Sequence, residues 1–234
     1  MIKLHEKATR GRTKTGWLNS FHTFSFGSFN DPTRMGFGNL RVLNEDTIAP
    51  GSGFAPHDHR DMDILTIVLS GALEHKDDQG NQSRIGVGEI QLMSAGTGVR
   101  HSEFNASPAH SARFLQIWLI PDVFGGQPTY AQASIPLGQR TVLAATQGGL
   151  VPLRSGSSVT HLRFEDGDVL AIPSDPGTLK FLHLVDGMAR AEGETLSAGD
   201  ALQIPAAEGI EMSWTSKGAA LLFEMPLTRK EPQA

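Results

Sequence analysis

Short apolar runs separated by turn-forming residues dominate the hydrophobic pattern of this chain. Five of them are rich in Ile, Val, Leu and Phe and are bounded by Gly, Pro, Asn or Asp, which predicts β-strands. These runs cover 40–43, 64–69, 90–93, 114–120 and 181–185. A polar segment at 77–81 predicts the tip of a hairpin. Since no long stretch shows the 3.6-residue period of an amphipathic helix, the pattern predicts an all-β sandwich or barrel.

The strand pattern is interrupted once, at 128–149, where small residues replace the apolar runs and predict a linker. The pattern resumes after it, at 169–172, 181–185, 202–204 and 220–224. A faint internal repeat relates the halves, because the Val-Leu-Ser-Gly segment at 68–71 is similar to Leu-Val-Asp-Gly at 184–187. We therefore expect two related β units, covering residues 1–133 and 134–234.

Composition and charge narrow the chemistry that the chain can perform. The 234 residues include no cysteine, which excludes disulfides, thiolate nucleophiles, zinc–thiolate sites and iron–sulfur clusters. The formal net charge of −5 argues against direct nucleic-acid binding, which usually needs a basic surface. No apolar run approaches the ~20 residues of a membrane span, and the first residues lack a signal-peptide core. We expect a cytoplasmic protein with no membrane partner.

Two short histidine motifs carry the candidate chemistry. His57 and His59 are separated by one residue, so on a strand both imidazoles point to the same face. His101 and Glu103 repeat this spacing. If the two strands lie side by side, three nitrogens and one carboxylate converge on a single divalent transition metal: Fe, Mn, Ni, Co, Cu or Zn. The alternative, surface histidines near turns, is less favoured because Gly-rich approaches precede both motifs.

Three further residues are candidates for the surroundings of this metal. Asp63 has the same parity as the first histidine pair and could orient a ligand or bind substrate. His22 lies in an aromatic segment, 21–26, and is expected to pack or to cover a pocket. Phe54 could form the wall of a pocket for a flat ligand, with core packing as the alternative. His75, between Glu74 and Lys76, is predicted to be an ordinary hairpin-strand residue.

The spacing of these residues resembles the two sequence motifs of cupins. The first motif is matched by Gly51, His57, His59 and Gly71, with Asp63 where cupins usually have Glu. The second motif is matched by Gly88, Gly96, His101 and Asn105, with Ser94 in place of the usual Pro. The usual Glu of the first motif is thus shortened to Asp63, and Glu103 supplies a carboxylate two residues after the last histidine of the second.

That substitution is typical of pirins, and the chain resembles the bacterial branch of the pirin family over residues 3–125. The matching segments are 16–26, 31–32, 36–38, 40–42, 44–46, 57–63 and 93–103. The resemblance implies a bicupin fold with two antiparallel β units. It also implies a metal, iron being expected first, bound only in the N-terminal unit by His57, His59, His101 and Glu103. His161 and His183 stand alone in the second half, which is expected to be metal-free.

The resemblance also implies a function. Pirin-like proteins are associated with quercetin 2,3-dioxygenase activity, in which O2 cleaves the central ring of a flavonol and carbon monoxide is released. Glu103 would then be catalytic, accepting the proton of the flavonol hydroxyl. The alternative is a non-catalytic metal-binding regulator or redox sensor that acts through a protein partner. A cupin isomerase is disfavoured because the sequence has no evident phosphate-binding cluster.

Overall fold

The computed structural model describes residues 1–227 and consists almost wholly of β-strands. The strands of the first half are β1 (Lys3–His5), β2 (Gly11–Lys14), β3 (Leu18–His22), β4 (Leu40–Ile48), β5 (Gly53–His59), β6 (Asp63–Ser70), β7 (Ala72–Asp77), β8 (Gln82–Gly86), β9 (Glu89–Ser94), β10 (Val99–Asn105), β11 (Ala112–Leu119) and β12 (Thr129–Ser134). Those of the second half are β13 (Arg140–Ala145), β14 (Val151–Pro152), β15 (Ser158–Phe164), β16 (Val169–Ile172), β17 (Thr178–Asp186), β18 (Met188–Ala191), β19 (Glu194–Ser197), β20 (Ala201–Ile204), β21 (Ile210–Trp214) and β22 (Gly218–Pro226). A single 3-10 turn covers Lys7–Thr9. Within the described residues, no helix has the length and apolar character needed to cross a membrane.

The strands form two units, each built from a seven-stranded and a four-stranded sheet. In the first unit the sheet orders are β12-β9-β6-β11-β4-β3-β2 and β5-β10-β7-β8. In the second they are β1-β20-β17-β22-β15-β13-β14 and β16-β21-β18-β19. Every named strand pair is antiparallel except β13 with β14. The prediction of an all-β fold with two antiparallel units is confirmed, and every apolar run predicted as a strand lies on one.

The burial pattern explains why some strands read as continuous apolar runs and others alternate. In β6 the first six positions are all buried, whereas in β10 buried positions alternate with exposed or half-buried ones. Leu115 and Ile117 of the first unit share a hydrophobic cluster with Phe181 and Phe223 of the second. The two large sheets therefore pack against each other, and their central strands are covered on both faces. Each such side chain contributes roughly 1.5–3 kcal/mol through burial.

The predicted linker at 128–149 is wrong. β12 occupies the first part of that segment and pairs with β9, while β13 occupies a later part and pairs with β15. Ala131 and Ala133 pack against the cluster between the units. Small side chains fit where two sheets approach closely, so the loss of bulky residues marks tight packing here. The proposed division after residue 133 falls one residue before the end of β12.

The N-terminal strand crosses between the units. β1 pairs with β20 of the second unit, whereas β2 joins the large sheet of the first. The crossing is held by Asp200, whose Oδ1 accepts a hydrogen bond from the Lys7 backbone N–H at 2.6 Å. Three more side chains join the units by bonding the segment after β14. Asp63, Asp122 and Asn39 accept from Arg154 N–H, Gly156 N–H and the Ser157 hydroxyl.

We expect His183, on β17, to make unfolding depend on pH. Burial lowers the pKa of His183 from its ordinary value of 6.5 to about 4. As pH falls below 6.5, the unfolded chain takes up this proton before the folded chain does. The free energy of unfolding should therefore fall by roughly 3 kcal/mol between pH 6.5 and 4, and then level off.

Denaturant titrations of the wild-type chain and of His183→Leu across this pH range test the effect. The variant should lose that part of the pH dependence. Equal slopes for the two chains would contradict the assignment. His161, whose pKa is also lowered to about 4 by burial, contributes equally to both chains and cancels in the comparison.

Candidate metal centre

Two neighbouring strands of the small sheet bring the predicted histidines together. β5 carries His57 and His59, β10 carries His101, and the strands pair antiparallel with His101 opposite His57. The three ring centroids lie 4.5–4.9 Å apart. The donor atoms of the three side chains all lie within 4.8 Å of one another. The period-two spacing therefore produces the expected cluster of three imidazoles.

A bulge in β5 sets the position of the carboxylate. The register shifts between His101 and Glu103, so that Glu103 faces Phe54 and β5 has one extra residue at this point. Pro56 lies in the extra segment, where its missing N–H costs no ladder hydrogen bond. Glu103 groups with His101 and with a fourth histidine, His75, within the same 4.8 Å limit. His101 thus belongs to both groups.

The hydrogen bonds of the histidines leave donor atoms suited to a metal. His57 Nδ1 lies 2.9 Å from the carbonyl oxygen of Ala55 and donates to it, which leaves Nε2 as the free donor atom. His101 Nε2 is buried and has no hydrogen-bond partner among the described residues. A buried nitrogen without a partner is costly unless it binds something else. The residues present therefore fit a divalent transition metal held by imidazole nitrogens.

The environment of His59 and His101 keeps these two imidazoles neutral. Burial, and then the proximity of His57, lower the pKa of His59 to about 4. Burial, and then His57, His59 and His75, lower the pKa of His101 to about 2. A histidine must be unprotonated to bind a metal through the relevant nitrogen. Near neutral pH, no proton competes with the metal at these two residues.

Glu103 is held between the two sheets of the first unit. Its side chain is buried, Oε1 accepts a hydrogen bond from the Thr66 hydroxyl at 3.3 Å, and Oε2 accepts one from Gln116 Nε2 at 3.4 Å. Burial, and then the negative charge of neighbouring Asp46, raise the pKa of Glu103 to about 7. A nearby divalent cation would lower it again by favouring the carboxylate.

The other predicted residues lie at different distances from the cluster. Phe54 borders it, with its ring centroid 6.2 Å from that of His57. His22 lies outside it and bonds to Thr13 and Asn44, which agrees with a packing role.

Asp63 differs from the expectation. One oxygen accepts from Ser94 Oγ at 2.6 Å, and the other accepts from the backbone N–H of Arg154 at 2.7 Å. Neither bond involves a histidine of the cluster, and the bond from Arg154 joins the two units. Its shared parity with His57 and His59 is interrupted by the loop between β5 and β6, where Asp61 has a φ of 49°.

Sequence reasoning missed two residues that contact the cluster. The ring of Trp118 lies edge-on to that of His59, with centroids 4.9 Å apart. The ring of His75 lies 5.2 Å from that of His101. His75 and Asp77 have the same one-residue spacing as the ligand motifs, and this was the available signal. It could not show which strand lies beside β10.

Comparisons with known proteins agree with this architecture. Residues 4–119 match the Pirin family model, and residues 142–225 match the model of the quercetinase C-terminal cupin domain. A quercetin 2,3-dioxygenase from Escherichia coli is 37% identical, with 97% of this chain and 99% of that protein covered. A pirin-like protein from Caulobacter vibrioides is 42% identical, with 81% and 71% covered. The bacterial pirin YhhW from Escherichia coli, solved in complex with nickel(II), superposes with a TM-score of 0.93 at 35% identity, with 97% and 100% covered.

Two β units, each built from a large and a small antiparallel sheet, with a histidine-rich metal centre in the first, define a bicupin metalloprotein. The matched regions cover both units. The chain belongs to the pirin family, and the resemblance inferred from its motifs is confirmed.

Proposed function

We propose that this chain is a metal-dependent dioxygenase that cleaves the central ring of flavonols such as quercetin with O2 and releases carbon monoxide. The observation that carries the proposal is the cluster of His57, His59 and His101, with the buried carboxyl of Glu103 close to His101. The name of the Escherichia coli relative, quercetin 2,3-dioxygenase, supports the substrate class.

His57, His59, His101 and Glu103 would hold one divalent ion, with Fe expected first and Mn, Ni, Co, Cu or Zn as alternatives. When bound, the ion polarises the oxygen of a chelating enol, lowers its pKa and leaves open positions for substrate. The nickel complex of the Escherichia coli pirin supports a divalent ion without deciding which one this chain uses.

Glu103 is the group that accepts the hydroxyl proton of the substrate. Thr66 and Gln116, from the opposite sheet, orient its two oxygens. A carboxylate that binds a metal through one oxygen keeps lone pairs for a proton. A positioned base of this kind contributes roughly 10²–10⁴-fold to a rate.

The overall reaction balances with O2 as the only co-substrate. Two carbon–carbon bonds of the central ring break and two carbon–oxygen bonds form. Both oxygen atoms of O2 enter the ring-opened ester, and the ring carbon that carried the hydroxyl leaves as carbon monoxide. No external reductant is required, and the chain has no cysteine pair or other redox-active side-chain pair to supply one.

An open pocket lined by both polar and apolar side chains reaches a neighbour of the cluster, Trp118, and offers aromatic contacts to a flat substrate. It has a volume of about 430 Å³, and its lining includes Phe26, Met62, Arg41 and Trp118. Trp118 also contacts His59, so this side chain borders both the pocket and the histidine cluster. Arg41 supplies a positive charge for a phenolate.

The proposal is tested by following quercetin loss and carbon monoxide release under O2. The chain is reconstituted separately with Fe(II), Mn(II), Ni(II), Co(II) and Cu(II), with anaerobic samples and the His101→Ala variant as controls. We expect turnover that requires O2, metal and His101, with carbon monoxide formed in proportion to quercetin lost. Stoichiometric metal without turnover in every form would overturn the dioxygenase and favour the regulator that acts through a protein partner.

A further inference from the structure

The fourth histidine, His75, lies beside His101 on the neighbouring strand β7. β7 pairs with β10 on the side opposite β5, and the register places His75 opposite Glu103 and Asp77 opposite His101. Buried and exposed positions alternate along β7 at this end, so His75 and Asp77 both point inward. His75 is only 1% exposed, and the ring of Tyr130 packs against it at 5.0 Å between centroids.

His75 connects His101 to a carboxylate. His75 Nδ1 lies 3.4 Å from His101 Nδ1, and His75 Nε2 lies 3.3 Å from Asp77 Oδ2. Asp77 is fixed in turn by the hairpin tip. It accepts hydrogen bonds from the backbone N–H and side-chain amide of Asn81 at 2.8 and 2.7 Å, and from the backbone N–H of Gln79 at 3.0 Å.

When His101 binds a metal through Nε2, one arrangement of protons satisfies both contacts of His75. If His101 binds the metal through Nε2, its proton is on Nδ1 and is donated to His75 Nδ1. His75 must then carry its own proton on Nε2, which donates to Asp77. The reverse arrangement would place a proton on the metal-facing nitrogen of His101. It would also direct the lone pair of His75 Nε2 at the Asp77 carboxylate.

We propose that His75 and Asp77 are positioning residues that hold His101 in the tautomer and orientation needed to bind the metal. The inference rests on the ligand set proposed above. His75 is not itself a ligand in this arrangement, because one of its nitrogens faces His101 and the other faces Asp77. Hydrogen-bonded partners of metal ligands typically contribute roughly 10–100-fold to metal affinity.

The first test measures metal affinity in the full-length chain by competition between the protein and a chelator for Zn(II). His75→Phe keeps a ring of similar size and removes both nitrogens. We expect Zn(II) to bind roughly 10–100-fold more weakly. His161→Phe, at a half-buried histidine of the second unit, is the matched control and should bind Zn(II) as the wild type does. Unchanged affinity in a folded His75→Phe chain would overturn the proposal.

The second test observes the tautomers directly and needs no variant. Nitrogen-15 NMR of the wild-type chain loaded with diamagnetic Zn(II) should show the proton of His101 on Nδ1 and that of His75 on Nε2. Asp77→Asn offers an amide donor to His75 Nε2, which favours the opposite His75 tautomer, and should weaken Zn(II) binding. The opposite tautomers in the wild type would overturn the proposal even if His75→Phe failed to fold.

The ligand set and the positioning role fail in different ways. If His101→Ala binds Zn(II) as tightly as the wild type, the ligand set is wrong and the positioning role falls with it. If His101→Ala loses Zn(II) while His75→Phe and Asp77→Asn retain full affinity, only the positioning role is wrong.

Discussion

Replacing His101 with alanine should remove the metal from the chain while leaving the fold in place. The substitution deletes the buried Nε2 atom that has no other partner and that lies with His57 and His59 in one cluster. The loss of affinity should exceed the roughly 100-fold upper range expected for a lost outer partner, because a direct ligand is removed. Elemental analysis after dialysis against a weak chelator measures the metal remaining per chain.

The fold should survive this substitution for two reasons. The cavity left by the imidazole costs a few kcal/mol at most, which is smaller than the roughly 5–15 kcal/mol that stabilises a typical native protein. The packing between the two large sheets lies elsewhere and is unaffected. His110→Ala, at an exposed histidine just beyond β10, is the matched control and should retain metal. Unchanged metal content in His101→Ala would show that the ligand assignment is wrong.

Replacing Glu103 with glutamine should reduce turnover more than it reduces metal occupancy. The amide is nearly isosteric, its oxygen can still accept from Thr66, and Gln116 can reorient to pair with the new NH2 group. It cannot accept a proton near neutral pH. We expect turnover to fall by roughly 10²–10⁴-fold with quercetin as substrate, and the bound metal to fall much less.

Two measurements on the same samples separate the roles of Glu103. Turnover per bound metal reports the proton-accepting role, and metal per chain reports the ligand role. Glu74→Gln, at an exposed position on neighbouring β7, is the control and should leave both unchanged. Full turnover in Glu103→Gln would show that Glu103 is not the base that accepts the substrate proton. If turnover falls only in proportion to metal content, Glu103 is a ligand and nothing more.

The fold could largely be predicted from local sequence, because strands buried on both faces and strands buried on one face each have a recognisable pattern of apolar residues. Central strands such as β6 and β11 are covered on both faces, and they appear as apolar runs that are each interrupted by one polar residue, Thr66 or Gln116. The prediction of a linker at 128–149 was wrong, because Ala131 and Ala133 belong to a strand whose small side chains suit tight packing between sheets. Hydrophobicity alone does not distinguish such a strand from a linker.

The candidate site, like the fold, could be predicted from the sequence only in part. The spacing of His57 with His59, and of His101 with Glu103, places each pair on one face of its strand wherever that strand lies. Asp63 follows a loop that breaks this periodicity, and one of its oxygens accepts a hydrogen bond from Arg154 of the other unit. No local spacing predicts a contact of that kind.

The sequence by itself determined which side chains share a face, since that follows from the two-residue repeat of an extended chain. Only the tertiary structure decided which strands lie side by side. It placed β5 and β7 on opposite edges of β10, which brings His75 and Asp77 behind His101. It also placed β1 in the sheet of the other unit. Pairings between distant segments depend on packing of the whole chain, and the free energy that selects them is not contained in any one segment.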